Sequence, residues 1–264
     1  MRRTPSRPGA SRLALITVVL TGAFALACGG GSSERTLTVF AAASLSDVFE
    51  EIGERFEAEQ PGVRLRFSFG GSQRLRLQLE QGARADLFAS ANLEQIGRAQ
   101  SGGLVENGRT FASNALALVV PADNPAGIAT LGDLADGDVR LVIAGPSVPA
   151  GALTRSVLVE LGVADAVLAG VVSEEESVRR VLSKVELGEA DAGFVYSTDA
   201  LAAGDAVLRL PLEETGMRNG YLIAITTNAS EPELALRFRA FLNGEIAQSI
   251  LVAAGFGMPS GGTP

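Results

Sequence analysis

The chain has 264 residues, with 22 lysines and arginines against 30 aspartates and glutamates, a formal charge of −8 and no histidine. A negative balance without a basic patch argues against nucleic acid or an acidic lipid surface as a partner, because both need clustered cations to neutralise phosphate. The lack of histidine removes Ser-His and Cys-His nucleophilic catalysis and the usual zinc sites together. No metal site and no cofactor is expected.

The first residues read as an address. Arg2, Arg3, Arg7 and Arg12 form a basic start, and residues 13–27 form an apolar run too short for a stable membrane span. The run ends in Ala25-Leu26-Ala27-Cys28, small residues before the chain's single cysteine. This pattern predicts an export signal over 1–27 and lipidation of Cys28, followed by a Gly-Ser spacer that makes 28–36 a flexible lipid-anchored linker. Ordinary cleavage beside an incidental cysteine is the alternative. Loss of 1–27 removes four arginines and takes the charge from −8 to −12.

From Leu37 onward short apolar runs alternate with longer amphipathic ones, the pattern of an α/β fold with mostly parallel strands. Strands are predicted at 37–41, 63–69 and 86–90. A helix at 47–60 carries Val48, Phe49, Ile52 and Phe56 on one face and stops at Pro61-Gly62. A second helix covers 92–101. Residues 74–80 alternate with period two, but Ser72 as a cap and the need for a crossover between parallel strands favour a helix there. A strand at 114–120 leads into a stretch rich in Gly, Ala, Asp and Pro, read as entry into a second lobe. That lobe is expected to hold strands at 140–144, 167–172, 192–196 and 207–210, with helices at 151–161 and 177–188. A strand at 221–226 returns to the first lobe, and helices at 231–242 and 245–253 close the chain. The lobes are thus placed at 37–114 plus 222–258 and at 115–221, with a tail at 259–264. No internal repeat is evident. Lys184, the single lysine, falls on the predicted 177–188 helix and reads as a surface residue.

The chemistry sits at strand-to-helix junctions. Ser44 follows the first strand, Gly70-Gly71-Ser72 the second, and Pro149-Ala150-Gly151 and Ser177-Val178 open helices of the second lobe. Each junction offers free backbone N–H groups and the positive end of a helix dipole, which bind anions without a cationic side chain. The glycines at 70, 71 and 151 would let the backbone approach an anion closely. Singly, each junction is equally well an ordinary cap or turn.

Val39-Phe40-Ala41-Ala42-Ala43-Ser44-Leu45 resembles the first-strand signature of the extracytoplasmic molybdate-binding proteins of ABC importers. Phe69-Gly70-Gly71-Ser72-Gln73, Ala85-Asp86-Leu87-Phe88-Ala89-Ser90-Ala91, Val148-Pro149-Ala150-Gly151, Glu176-Ser177-Val178-Arg179 and Gly193-Phe194-Val195-Tyr196-Ser197-Thr198-Asp199-Ala200 are similar to further blocks of that family, in order, over about residues 37–256. The resemblance implies a two-lobe, periplasmic-binding-protein-like (type II) fold with a hinged cleft. It implies molybdate or tungstate as the ligand, an ABC importer permease and the membrane (through Cys28) as partners, a monomer, and an extracytoplasmic location. By that resemblance the ligand contacts are Ser44, Ser72, Ala150, Val178 and Tyr196, with Gln73 a further donor or a supporting residue and Asp86 structural. Arg179 and Arg180 are not expected to pair with the anion, since neutral donors suffice and a buried arginine costs desolvation.

Three rivals stay open: the same fold with another oxyanion such as sulfate, a lipid-anchored serine hydrolase using Ser44 or Ser72, and an adhesion or scaffold lipoprotein. The hydrolase lacks a general base and a Gly-x-Ser-x-Gly elbow. The scaffold should expose a large apolar patch.

Overall fold

The computed structural model describes residues 34–135, 138–212 and 215–259, so the predicted export segment, Cys28 and residues 260–264 of the tail lie outside the described residues. The first part of the chain gives β1 (Arg35–Ala42), α1 (Ser46–Glu59), β2 (Val63–Gly70), α2 (Ser72–Glu80), β3 (Leu87–Ser90), α3 (Leu93–Ser101) and β4 (Arg109–Asn114). The second gives β5 (Leu116–Pro121), β6 (Leu141–Ala144), α4 (Pro149–Glu160), α5 (Ala164–Ala169), β7 (Val171–Glu175), α6 (Val178–Glu186), β8 (Ala192–Tyr196), α7 (Ser197–Ala203) and β9 (Val207–Leu210). The last gives β10 (Asn219–Ile225), α8 (Pro232–Leu242) and α9 (Glu245–Ala253).

These strands form two five-stranded sheets, ordered β2-β1-β3-β10-β4 and β7-β6-β8-β5-β9. Each sheet has three parallel strands and an antiparallel strand inserted beside them, β10 in the first and β5 in the second. The two lobes therefore repeat one strand order although the sequence shows no repeat. The expectation of mostly parallel strands holds for four strands of each sheet, while β10 and β5 run antiparallel to both of their neighbours. The chain crosses between sheets at Ala115 and again between β9 and β10, and two crossings are what a cleft between lobes requires.

Local sequence explains most of this. In α1 the predicted stripe of Val48, Phe49, Ile52 and Phe56 is buried, and Phe56 meets Phe238 of α8 edge-on with ring centroids 5.2 Å apart. Each such phenylalanine contributes about 1.5–3 kcal/mol of burial. The chain leaves α1 through Gly62, whose φ of 82° suits glycine. The alternating 74–80 segment is helical. Leu75 and Leu79, four apart, are buried and Leu77 is exposed, so the 3.6-residue period decides which leucines face β1 and β3.

Three assignments change. The expected strand at 167–172 is instead the end of α5, with Gly170 closing it and β7 beginning at Val171. Ala and Leu are good helix formers, and β7 is an edge strand half-filled with serine and glutamate, so its apolar signal is weak. The strand expected at 114–120 is β5, and β4, which ends just before it and belongs to the other sheet, was not expected. β10 joins the first sheet at Asn219, paired with Asn114, ahead of the expected return at 222. Among the described residues no helix is long and apolar enough to cross a membrane.

Candidate functional site

The carboxyl ends of β1, β2, β3, β6, β7 and β8 meet at one small cavity between the lobes, as expected for ligand sites in open α/β sheets. Its water-accessible volume is only ≈ 10 Å³, far below the usual size for an organic ligand, and every residue lining it is uncharged. The first lobe supplies Ala42, Ala43, Ser44, Gly70, Gly71, Ser72 and Ala91. The second supplies Val148, Pro149, Ala150, Ser177, Val178 and Tyr196. All five residues singled out from the sequence, Ser44, Ser72, Ala150, Val178 and Tyr196, stand together on its wall.

Helix geometry orients the backbone donors. Ser72 and Val178 are the first residues of α2 and α6, and Ala150 is the second of α4, after Pro149. N–H groups at these positions have no acceptor within their own helix and point outward along its axis with the positive end of the dipole. Proline at the first position of α4 costs nothing, because its missing N–H would be an orphan anyway.

The hydroxyls are arranged by neighbours. The Ser72 hydroxyl oxygen accepts from the Ala91 N–H at 3.1 Å. The Tyr196 hydroxyl oxygen accepts from Asn219 Nδ2 at 2.7 Å, and the same Nδ2 donates to the Pro149 carbonyl at 3.0 Å. Ser44 Oγ lies 2.7 Å from Tyr221 Oη. Burial holds both the Tyr196 and Tyr221 phenols well above the ordinary tyrosine range, so both stay protonated. With an oxygen lone pair engaged by the protein, Ser72 and Tyr196 retain the O–H proton to donate.

Asn219 and Tyr221 were not singled out from the sequence. Both lie where β10 starts, beside a chain crossing, and a polar residue next to a glycine there reads as an ordinary turn. Only the fold brings them against Tyr196 and Ser44.

Gly70 and Gly71 stand on the cavity wall, and Gly71 and Gly151 also serve packing within the protein. A Cβ on Gly151 would lie 2.1–2.2 Å from the carbonyl oxygens of Gly145 and Ala144, and one on Gly71 would lie 2.2 Å from the Glu176 carbonyl across the cleft. Gly151 thus lets α4 press onto the end of β6, and Gly71 lets the lobes meet. Gln73 also spans the cleft, its Nε2 donating to the Glu176 carbonyl at 2.9 Å, and it is absent from the cavity wall. The lobes are closed on one another.

Charged groups lie outside the wall. Asp86 is structural: its oxygens accept from the N–H groups of Thr38, Ser230 and Glu231 at 2.6–3.0 Å. Arg180 pairs with Glu176 and Arg179 with Asp47 and Asp199, so neither faces the cavity as its counter-ion. Burial pushes the Asp199 carboxyl up to about 6, against the lowering influence of Arg179 and of the Tyr196 N–H that it accepts. Lys184 is ion-paired with Glu175 at 2.5 Å. Among the described residues no cluster of three or more acidic, cysteine or histidine side chains is placed to hold a metal ion. The hydrogen-bond partners of Ser44 and Ser72 are a phenol and a backbone amide, so neither serine has a general base beside it.

A closed two-lobe α/β fold with a small, neutral, donor-lined cavity at its strand ends defines a solute-binding protein for a small anion. The sequence matches the family of bacterial extracellular solute-binding proteins over residues 37–257, and the chain belongs to that family. It is 40% identical to a molybdate-binding protein of Mycobacterium tuberculosis over 247 residues, 89% of this chain and 93% of that one. A sulfate-binding protein of Synechococcus elongatus is 30% identical over 152 residues, covering 52% of this chain and 43% of that protein. The fold is shared with the periplasmic molybdate-binding protein of Azotobacter vinelandii (TM-score 0.74, 24% identity, 85% of this chain and all of that one).

Proposed function

We propose that the chain captures molybdate, and tungstate with it, outside the cytoplasm and delivers it to an ABC importer permease. The observation that carries this reading is the convergence of Ser44, Ser72, Ala150, Val178 and Tyr196, from both lobes, on one uncharged cavity. The 40% identity to the mycobacterial molybdate-binding protein along most of both chains supports the choice of ion. Binding needs no cation. A hydrogen bond to a charged group contributes about 1.5–3 kcal/mol net, so roughly six such bonds supply the ~12 kcal/mol of nanomolar affinity. Donors fixed on helix ends hold their spacing, and a smaller dianion of the same shape loses contacts to some of them. A protonated oxyanion meets donors where it needs an acceptor. The role is capture and release, with no covalent step, and the protein acts as a monomer.

Anchoring through lipidated Cys28 belongs to the same reading, and rests on the small residues before it and the Gly-Ser spacer after it. Cys28→Ser should release the protein from the membrane fraction; retention there refutes the anchor.

The sulfate-binding relative makes sulfate the rival ligand. Thermal melts of the mature chain with molybdate, tungstate, sulfate and phosphate separate the two, since a ligand that binds only the native state raises the midpoint. A large rise with molybdate and tungstate and little with the others is expected. A rise with sulfate alone, or with none, refutes the proposal.

A further inference from the structure

Behind the cavity, on the side where Ser44 turns into α1, lies a three-residue charge cluster that ligand binding does not use. Arg179 is the second residue of α6, one position after Val178. Its Nη2 donates to Asp47 Oδ2 of α1 in the other lobe at 2.7 Å. Its Nε lies 2.9 Å from Asp199 Oδ1 of α7, close enough for Coulomb attraction although the N–H is not aimed at that oxygen. Asp199 is fully buried, and its second oxygen accepts the Tyr196 N–H at 3.2 Å. One guanidinium therefore joins the helix after Ser44, the helix beginning at Val178 and the backbone of Tyr196.

The two legs of this bridge differ. Asp199 belongs to the same lobe as Arg179 and compensates it whether the lobes are open or shut. Asp47 belongs to the other lobe and is reached only when they shut. We infer that Arg179 is a positioning residue that clasps the closed form through Asp47 and so sets how long the anion is held. The clasp rests on the functional reading above only for the identity of that anion. It is distinct from the seam at Glu176, where Arg74 and Gln73 meet the second lobe. The Glu176 pair is 56% and 45% exposed and the Arg179–Asp47 pair 29% and 62%, so both are partly screened by solvent, the Arg179 end less than the Arg74 end.

The test removes only the leg between lobes. Arg179→Gln would strand Asp199 in the interior, so the informative variants are Asp47→Asn, at a side chain 62% exposed, and Arg179→Lys, which keeps the charge but loses the planar fork that reaches both carboxylates. Association and dissociation of molybdate are followed by stopped flow in the full mature chain, with ligand-free melts alongside. For a half-exposed ion pair, dissociation should quicken roughly two- to fivefold in Asp47→Asn. Association should be unchanged, the ligand-free midpoint should fall by no more than roughly 1–4 °C, and the difference should fade in about 1 M salt. Unchanged dissociation in both variants, with wild type binding normally, overturns the clasp and leaves the functional reading standing. If wild type binds no molybdate, the functional reading falls and the clasp is judged by the distance between spectroscopic labels on the two lobes. Asp47→Asn should shift that distribution toward wider separations, and superimposable distributions overturn it.

Discussion

Replacing Tyr196 by phenylalanine removes one oxygen and leaves the ring, which packs against Tyr221 with centroids 5.8 Å apart. In the free protein Asn219 Nδ2 loses its 2.7 Å acceptor and keeps the Pro149 carbonyl at 3.0 Å. Half of that amide's bonding survives, so the cost to stability should be about 1 kcal/mol, a fall in midpoint of roughly 2–4 °C for a protein of this size. In the complex the anion loses a donor whose proton burial keeps in place. A hydrogen bond to a charged group contributes about 1.5–3 kcal/mol, which converts to a dissociation constant weakened roughly ten- to 150-fold. Calorimetric titration of molybdate into wild type and variant measures that loss, and melts without ligand measure the other. Equal affinity in a variant that melts near wild type refutes donation by Tyr196. A midpoint falling by much more would show that the hydroxyl holds the lobes rather than the ligand.

Ser44→Ala and Ser72→Ala should each weaken molybdate binding by about 1–3 kcal/mol without unfolding the protein; unchanged affinity in both rejects the assigned wall. Gly151→Ala should lower the ligand-free midpoint, because its Cβ would meet two backbone carbonyls at 2.1–2.2 Å, and an unshifted melt contradicts that packing. Asp199 gives a pH signature. Its carboxyl is raised to about 6 by burial, so the folded state holds a proton that the unfolded chain has already released above about 4. The stability this adds is complete below about 4 and is lost as pH rises through 6. Melts across pH 4–7 should show that decline in wild type and lose it in Asp199→Asn; an identical slope in both excludes Asp199 as its source.

The donor positions were legible because each lies at a strand-to-helix junction, where the sequence announces both the turn and the free N–H groups. Ser72 and Val178 open helices whose buried faces are written in the spacing of Leu75 and Leu79 or of Val178, Val181, Leu182 and Val185. The residues that aim those donors were not legible. Asn219 meets Tyr196 across 23 positions, and Tyr221 meets Ser44 across 177; no local pattern encodes such pairings. That a side chain at Gly71 or Gly151 would also meet protein carbonyls was not legible, because those carbonyls come from other parts of the chain. β7 was displaced because Ser173, Glu174 and Glu175 dilute the apolar signal of an edge strand, while Ala164–Ala169 satisfies helix propensity.

The most direct measurement is a crystal structure of the mature chain grown with molybdate, with the molybdenum located by its anomalous scattering. The expected result is one ion in the cavity between the lobes, its oxygens within hydrogen-bond distance of the hydroxyls of Ser44, Ser72 and Tyr196 and of the N–H groups of Ala150 and Val178, with no cation beside it. An ion found elsewhere, or one held by Arg179 or Arg180, would contradict recognition by neutral donors.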